Sequence, residues 1–385
     1  MLVPREESFS SRLRSPAVAS RVGVWLGACF TVAFLTGLAS HFAQAHTWWF
    51  PYPTAPSWGY RVTQGLHVIT GTAAIPLLLV KLWTVFPKLF QKVPVGDRRE
   101  LVLHGLERGS IGVLVAAAVF QLASGLSNSA QWYPWSFHFR ATHYAVAWVA
   151  IGALAVHVAV KLPVIRQALT SDIEDESQDR PTTRRVSSGL SRRGLVRTAL
   201  VASALAVLAS AGSTIPLLRR VSVFGVRDGD GPQHLPVNKS AKAAGVIPLA
   251  FRSDFRLTVV HGDRTRDLTR ADLKAMPQRT RSLPIACVEG WSAGATWTGV
   301  PVRHLLDLVD APRGSDVVVR SLQTHGPYGA TLLQGNFTDD EDTLLALMLN
   351  GDELSIDHGF PCRLIAPNRP GVLQTKWVHR IEVRT

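Results

Sequence analysis

At 385 residues the chain is long enough for two or three domains. Its formal charge of +13 is uneven: residues 1–220 hold 22 Lys and Arg against 10 Asp and Glu, and residues 221–385 hold 19 against 18. The basicity belongs to the first part, no basic stripe marks a folded domain as a nucleic-acid reader, and three cysteines (Cys29, Cys287, Cys362) do not make a disulfide framework. Residues 1–21 are polar, with Arg5, Arg12, Arg14 and Arg21. Uncharged apolar runs follow at about 22–40, 62–80, 109–126 and 142–160, each long enough to span a bilayer, and a fifth at 195–218 is interrupted only by Arg197. Between the first and second runs, and between the third and fourth, the only cations are Arg61 and Arg140. Between the second and third stand Lys81, Lys88, Lys92, Arg98, Arg99 and Arg108, and before the fifth stand Lys161, Arg166, Arg180, Arg184, Arg185, Arg192 and Arg193. The positive-inside rule puts the N-terminus and both basic segments in the cytoplasm, so five spans leave the C-terminal part outside. The weakly charged loops carry Trp48, Trp49, Phe50 and Tyr52, then Trp132, Tyr133 and Trp135, an interfacial aromatic belt.

Ionisable residues inside spans are costly and mark functional sites. His67 lies near the outer end of the second span; His143 and His157 lie at the outer and inner ends of the fourth. His143 and His157 are 14 residues apart, just short of four turns, so they share a face. Their axial separation of ~21 Å suits two stacked groups rather than one. His104, before the third span on the inner side, is the expected partner of His157, and Gly65, Gly71 and Gly105 would admit a flat macrocycle. His41, His46 and His138 read as interfacial residues. This spacing and helix count resemble the four-helix, two-haem cytochrome b subunits of quinone-linked oxidoreductases. The resemblance implies haem b, in two copies, with His67, His104, His143 and His157 as iron ligands, and a link to the quinone pool. Residues 164–190 read as a cytoplasmic linker, polar and poor in apolar residues over 171–188. The string Ser191-Arg192-Arg193-Gly194-Leu195-Val196-Arg197, ahead of an Ala-rich apolar run, resembles a twin-arginine export signal. Read without that resemblance, the pair is two positive-inside arginines.

Beyond residue 219 the pattern is of short strands and helices in mixed order, an α+β domain. Strands are expected at 255–260, 283–286, 316–322 and 377–383. A helix capped by Thr269 with Asp272 is expected, another opening at Pro301 over 302–309, and a third over 342–350 closed by Gly351. After the strand 283–286 a loop rich in Gly, Ser and Trp is expected, with Cys287 where strand meets loop. By position alone Cys287 reads as a small buried hydrophobe.

Four strings change that reading. Cys287-Val288-Glu289-Gly290-Trp291-Ser292, followed by Trp297-Thr298-Gly299-Val300-Pro301, resembles the molybdenum-ligand segment of the sulfite oxidase family. It implies that Cys287 is a thiolate ligand of molybdenum carried on one pterin dithiolene, a soft donor suited to that metal. Gln233-His234-Leu235-Pro236-Val237-Asn238-Lys239-Ser240 resembles the family's first motif, which implies His234 and Asn238 near the pterin. His358-Gly359-Phe360-Pro361-Cys362-Arg363-Leu364 resembles the late motif, implying His358 and Arg363 at the cofactor, with Arg363 on its phosphate. Gly371 through Lys376-Trp377-Val378 resembles the closing motif and implies Lys376 and Trp377 there too. The likeness covers about 251–385 closely and 234–240 loosely. A Cys287–Cys362 disulfide would consume the implied ligand. Tyr328, in Thr324-His325-Gly326-Pro327-Tyr328, reads equally as a catalytic pocket residue or a surface turn aromatic. Little sequence follows the closing motif, so an immunoglobulin-like dimerisation domain is not expected, and the resemblance runs to the catalytic subunits of periplasmic methionine sulfoxide reductases.

The expected architecture is an all-α transmembrane bundle of four helices plus a fifth anchoring helix, followed by an α+β sulfite-oxidase-type molybdopterin domain. The expected segments are a tail at 1–21, a cytochrome b type domain at 22–163, a linker at 164–190, the export signal and fifth helix at 191–218, and the extracytoplasmic domain at 219–385. The expected function is a molybdenum oxidoreductase of the plasma membrane that exchanges an oxygen atom and electrons with a small-molecule or methionine-sulfoxide-type substrate. Its expected partners are membrane lipid, the quinone pool and, in biogenesis, the twin-arginine translocase. Two other readings fit the same residues: a membrane-anchored binding module that keeps the fold, and a haem-only electron carrier.

Overall fold

The computed structural model describes residues 5–9, 11–45, 50–177, 179, 189–211, 214–225, 231–326 and 328–384. His46, read as interfacial, Trp48 and Trp49 of the expected belt, and Arg180, Arg184 and Arg185 of the linker lie outside the described residues. The chain forms two compact units, one of Met1–Gly37, Leu66–Gly212 and Val221–Phe224, the other of Leu38–Gly65, Ser213–Arg220 and Gly225–Thr385.

The apolar runs fold as helices, the first four longer than their runs and the fifth shorter: α1 Pro16–Gln44, α2 Gly59–Val85, α3 Arg98–Ser129, α4 Phe139–Thr170 and α5 Arg192–Ala206. Local chemistry sets their ends. Pro16 stands first in α1, where no N–H partner is needed. The Asp97 side chain accepts from Arg99 N at the start of α3, and Ser191 accepts from Gly194 N at the start of α5. The C-terminal carbonyls of α4 are taken by Arg21, whose guanidinium donates to Ala168 O at 2.8 Å and Ser171 O at 2.7 Å. Helix α4 therefore runs through Pro163 to Thr170, into the segment expected as linker. Helix α5 passes into one π-helical turn, Val207–Ala211, and stops short of the expected 218. Counted with their continuations, Gly59–Phe90 for α2 and Arg192–Ala211 for α5, all five helices are long and apolar enough to cross a membrane, and only 6% of the most apolar stretch of α1 and of α4 is buried. Surface of that kind suits lipid rather than water.

The two arginines of the export-like string differ. Arg192 is fully buried, ion-paired to Asp179, and donates to Arg12 O at 3.0 Å and Asp175 O at 2.9 Å. Arg193 keeps 57% of its side chain exposed and reaches Asp172 only at 3.5 Å.

Among the described residues the second unit holds ten strands in two sheets. They are β1 Leu257–His261, β2 Arg264–Leu268, β3 Arg279–Ala286, β4 Ser292–Pro301, β5 Val317–Ser321, β6 Ala330–Leu333, β7 Leu344–Leu349, β8 Asp352–Glu353, β9 Arg363–Ile365 and β10 Val378–Val383. One sheet runs β2-β1-β10-β5-β6; the other runs β3-β4-β7-β8, with β9 also on β7. The last strand returns beside the first, and β1 with β10 is a parallel pair (Val259 opposite Ile381). Thr269 and Asp272 close a capping box on the helix Arg270–Ala275, and the helix Val302–Asp307 begins after Pro301, both as expected. The expected helix over 342–350 is instead β7. Its six residues Leu-Leu-Ala-Leu-Met-Leu are all buried but Met348, and a short apolar run buried on both faces has no period by which to tell strand from helix. Asn350 and Gly351 both take positive φ, 54° and 93°. They form the tight Asn-Gly hairpin turn into β8 rather than a helix end.

Candidate functional site

Cys287 sits in a hairpin turn. Strands β3 and β4 are antiparallel with Ala286 opposite Ser292, and the turn is closed by Cys287 N donating to Trp291 O at 3.0 Å and Gly290 N to Cys287 O at 3.1 Å. The expected Gly/Ser/Trp loop is thus a five-residue turn followed at once by strand. Cross-strand pairing of β3 with β4 runs up to its base, so the turn that carries the thiol is held by that ladder. Cys287 is fully buried among Leu283, Ile285, Trp291 and Trp297. Cys362 packs in a separate core cluster, its thiol donating to Val378 O at 3.2 Å and pushed up by burial to about 12. Neither cysteine is in a disulfide.

The late and closing motifs meet on one short turn. The 3-10 helix Ile356–His358 is capped by Ser355, whose Oγ accepts from His358 N. Its three successive carbonyls are taken by three motif side chains: Ile356 O by Trp377 Nε1 at 2.7 Å, Asp357 O by Lys376 Nζ at 2.8 Å, and His358 O by Arg363 Nη1 at 3.0 Å. Gly359 lets them close in. It sits at φ 115°, and a Cβ there would lie 2.9 Å from Arg363 Cβ and 3.3 Å from Lys376 Cα. Trp377 itself takes φ 54°, a conformation costing about 1–3 kcal/mol for a bulky residue, and its burial and indole bond hold it there. Arg363 lies over the Trp297 ring at 5.0 Å, which ties this cluster to the Cys287 hairpin.

The electrostatics are unbalanced. Arg363 is buried and Lys376 half-buried, and no salt bridge joins either to a carboxylate among the described residues. Burial alone pulls Arg363 down to about 9; burial and then the Arg363 charge pull Lys376 to about 7. Arg363 Nε has no hydrogen-bond partner. Buried cations lacking anions are costly, and a doubly charged phosphate with acceptor oxygens is the group that would satisfy them. Burial and the neighbouring Arg363 hold His358 down near about 4, and its Nε2 donates to Pro232 O at 2.6 Å, so it stays neutral. A phosphorylated pterin fits this donor set, with the Cys287 sulfur on the adjoining hairpin.

The first motif reaches the same turn, chiefly through its backbone. Lys239 O accepts from Lys376 Nζ at 2.6 Å, and Ala241 N donates to Asp357 Oδ1 at 2.7 Å. His234 is exposed, at φ 62°, and Asn238 Oδ1 accepts from its neighbour Lys239 N at 2.9 Å. Gln233 does more to hold the fold, bridging Leu349 O, Glu353 O and Ser355 N at 2.9–3.1 Å. Tyr328 is 38% exposed, after Pro327, which lies outside the described residues.

Residues not expected at the site come from the start of α2. Tyr60 is buried, within electrostatic reach of Cys287 and Tyr328; its N–H donates to Asn368 Oδ1 at 2.5 Å. Gln64 Nε2 donates to Val288 O at 3.1 Å, in the Cys287 turn. Their sequence signal was polarity at the edge of an apolar span. A further buried cation, Arg369, donates to Leu332 O at 2.6 Å, leaves Nε unpartnered and is pulled down by burial to about 9.

Among the candidate iron ligands the structure brings His67 and His143 together, ring centroids 6.2 Å apart. His67 Nδ1 lies 2.8 Å from Ala33 O, and His143 Nδ1 lies 3.0 Å from Ser124 Oγ. Each ring is held through Nδ1, which leaves Nε2 as the atom available to a metal. The glycines beside them are Gly37 and Gly125: a Cβ on Gly37 would come within 2.9 Å of His67 Cε1, and one on Gly125 within 3.7 Å of His143 Cε1. Gly65 faces Thr214, while Gly71 and Gly105 border open space. This pair fits a planar iron macrocycle. His104 and His157 make no ring contact among the described residues, and His104 Nε2 is buried without a partner.

Residues 244–385 match the family described as oxidoreductase molybdopterin binding domain. The mitochondrial sulfite oxidase of Drosophila melanogaster is 30% identical over 36% of this chain and 28% of its own. The sulfite oxidase of Gallus gallus is 30% identical over 36% of each, and the NADPH nitrate reductase of Phytophthora infestans is 39% identical over 23% of this chain and 10% of its own. The chain therefore spans about a third or less of these relatives' length. The sulfane dehydrogenase SoxCD from Paracoccus pantotrophus aligns at TM-score 0.31 and 22% identity, over 35% of this chain and 40% of that one. The C-terminal region carries a molybdopterin-binding domain of the oxidoreductase type. The domain expected from the motifs is the one matched.

Proposed function

We propose that the chain is a membrane-anchored molybdenum oxidoreductase, coupled through haem b to the quinone pool. The observation that carries the molybdopterin reading is a pair of cations with no carboxylate partner, buried Arg363 and half-buried Lys376, on the turn Ile356–His358. When bound, the cofactor supplies oxygen-atom exchange coupled to two electrons. Cys287 offers the thiolate, its direction set by the β3–β4 hairpin. Arg363 and Lys376 hold the phosphate, Trp297 keeps the Arg363 plane in place, and neutral His358 adds a hydrogen-bonded wall without further positive charge. On the membrane side, the Nδ1 bonds of His67 and His143 present Nε2 to iron, and haem b would pass single electrons to or from quinone.

In this reading the C-terminal domain faces outward and is exported folded through the Ser191-Arg192-Arg193 signal, because the cofactor is loaded in the cytoplasm. The relatives' names span sulfite and nitrate, and the motif likeness adds sulfoxides. Metal analysis with a reduced-minus-oxidised spectrum tests the core of the proposal: about one molybdenum and a b-type spectrum are expected. Folded protein with neither would overturn it. Turnover with sulfite and with sulfoxides, against oxidised and reduced quinone, then fixes substrate and direction.

A further inference from the structure

Two arginines from outside the molybdopterin-binding region converge on Ser292, which stands next to the Cys287 turn. Arg61, near the start of α2, donates through Nε to Ser292 Oγ at 3.1 Å. Arg219 donates through Nη2 to Ser292 O at 2.7 Å. Ser292 is buried, and its hydroxyl donates in turn to Thr214 O at 2.8 Å. Neither arginine has an acidic partner among the described residues. Each carries five N–H donors in a flat fork, so donors remain on both after Ser292 is satisfied.

Two orphaned polar atoms mark the same place. Arg219 Nε and Thr214 Oγ1 are buried with no hydrogen-bond partner, and Thr214 as a residue is only 5% exposed. Its side chain lies against the bare Cα of Gly65: a Cβ there would stand 3.7 Å from Thr214 Cβ and 3.9 Å from Oγ1. Gly65 lies four residues after Arg61, hence on the same face of α2. Arg61 and Arg219 are both half-buried, and like charges brought together beside a buried hydroxyl favour an anion. Two guanidinium forks match the oxygen spacing of a tetrahedral one.

We propose that Arg61, Arg219, Thr214 and Ser292 form a binding site for a tetrahedral oxyanion. The source is either a lipid headgroup phosphate or a free sulfate-like ion. Only Ser292 of these residues lies in the region matched to the molybdopterin-binding family, and the inference does not depend on the molybdenum or haem reading.

The test uses the full chain, purified in detergent and delipidated. Its thermal unfolding is followed against sulfate, and separately in vesicles of phosphatidylcholine with and without phosphatidylglycerol. Protection by sulfate identifies the free ion, and protection by phosphatidylglycerol alone identifies the headgroup. Either protection should need at least about tenfold more ligand in Arg61→Gln and in Arg219→Gln, the effect of losing one charge-assisted hydrogen bond. Arg61→Lys and Arg219→Lys serve as folding controls that keep the charge. Thr214→Val gives the sharper readout. Removing an unpartnered buried hydroxyl leaves the unliganded protein as stable or more so, yet should weaken the ligand about tenfold. If neither ligand moves the midpoint, or if both move wild type and the Arg61→Gln/Arg219→Gln double variant equally, the site does not exist.

Discussion

At the scale of single residues, the candidate site rests on a thiol and on two cations held without anions. Cys287→Ser keeps volume and the backbone turn but replaces a soft donor with a hard one. The variant should fold, keep its helical unit and lose molybdenum, with turnover down more than about a hundredfold, since even outer-shell partners of a metal are worth 10–100-fold. Metal content and turnover measured together check this; wild-type turnover in the variant sinks the assignment. Lys376 and His358 make a second prediction. Lys376 ionises near about 7 in the fold and about 10.4 in an unfolded chain, so between those values the unfolded state binds more protons. Stability of the cofactor-free protein should therefore rise with pH from 7 towards 10. His358, at about 4 when folded and about 6.5 unfolded, adds loss of stability as pH falls from 6.5 to 4. A bound phosphate restores the charged form of Lys376 and should flatten the alkaline slope. Unfolding midpoints of cofactor-free and loaded protein across this range report it; identical alkaline slopes would mean that Lys376 does not face the phosphate.

At the scale of elements, what could be read beforehand was what has a local cause. Helices α1–α4 and the capped helix Arg270–Ala275 announce themselves by apolar length or by caps. The motif side chains at 358, 363, 376 and 377 could be named in advance, and the structure joins them on one turn. Strand β7 was not legible, because burial on both faces erases periodicity, although Asn350-Gly351 carried the turn signal. Tyr60, Gln64, Arg61 and Arg369 were not legible either: each matters through a partner more than 30 residues away, and no local pattern encodes that. The same distinction separates the histidines. His67 and His143 come from different helices and meet, whereas no ring contact joins His104 to His157. His143→Ala is therefore expected to abolish one haem, with His67 left oriented by Ala33 O. His157→Ala is expected to remove a second haem and leave the first. Redox titration of each variant decides: an unchanged spectrum and unchanged midpoints in His157→Ala would leave a single haem, between His67 and His143.

At the scale of the whole molecule, the charge asymmetry of the chain and the position of Arg192 bear on how the C-terminal domain reaches its compartment. Changing Arg192 and Arg193 together to Lys keeps the positive charge ahead of α5, so the positive-inside preference survives. Lys cannot reproduce the planar fork that a twin-arginine receptor would read. The buried position of Arg192 adds a second role for that fork. It binds Asp179, Arg12 O and Asp175 O, and an ammonium in its place would leave some of these unpartnered, at about 1–3 kcal/mol each. A receptor reading both guanidinium groups must therefore act before α5 seats. The double variant alone would confuse failed export with a loosened helix, so the single variants carry the argument. Arg193→Lys touches only an exposed side chain and should leave the unfolding midpoint of the helical unit within about 0.5 kcal/mol of wild type, while export of the C-terminal domain falls. Arg192→Lys should lose both export and stability. The readouts are protease accessibility of the C-terminal domain in right-side-out vesicles and thermal unfolding of the purified chain. Full digestion of the domain in Arg193→Lys, with only Arg192→Lys impaired, would make the pair a structural clasp and would remove the export reading.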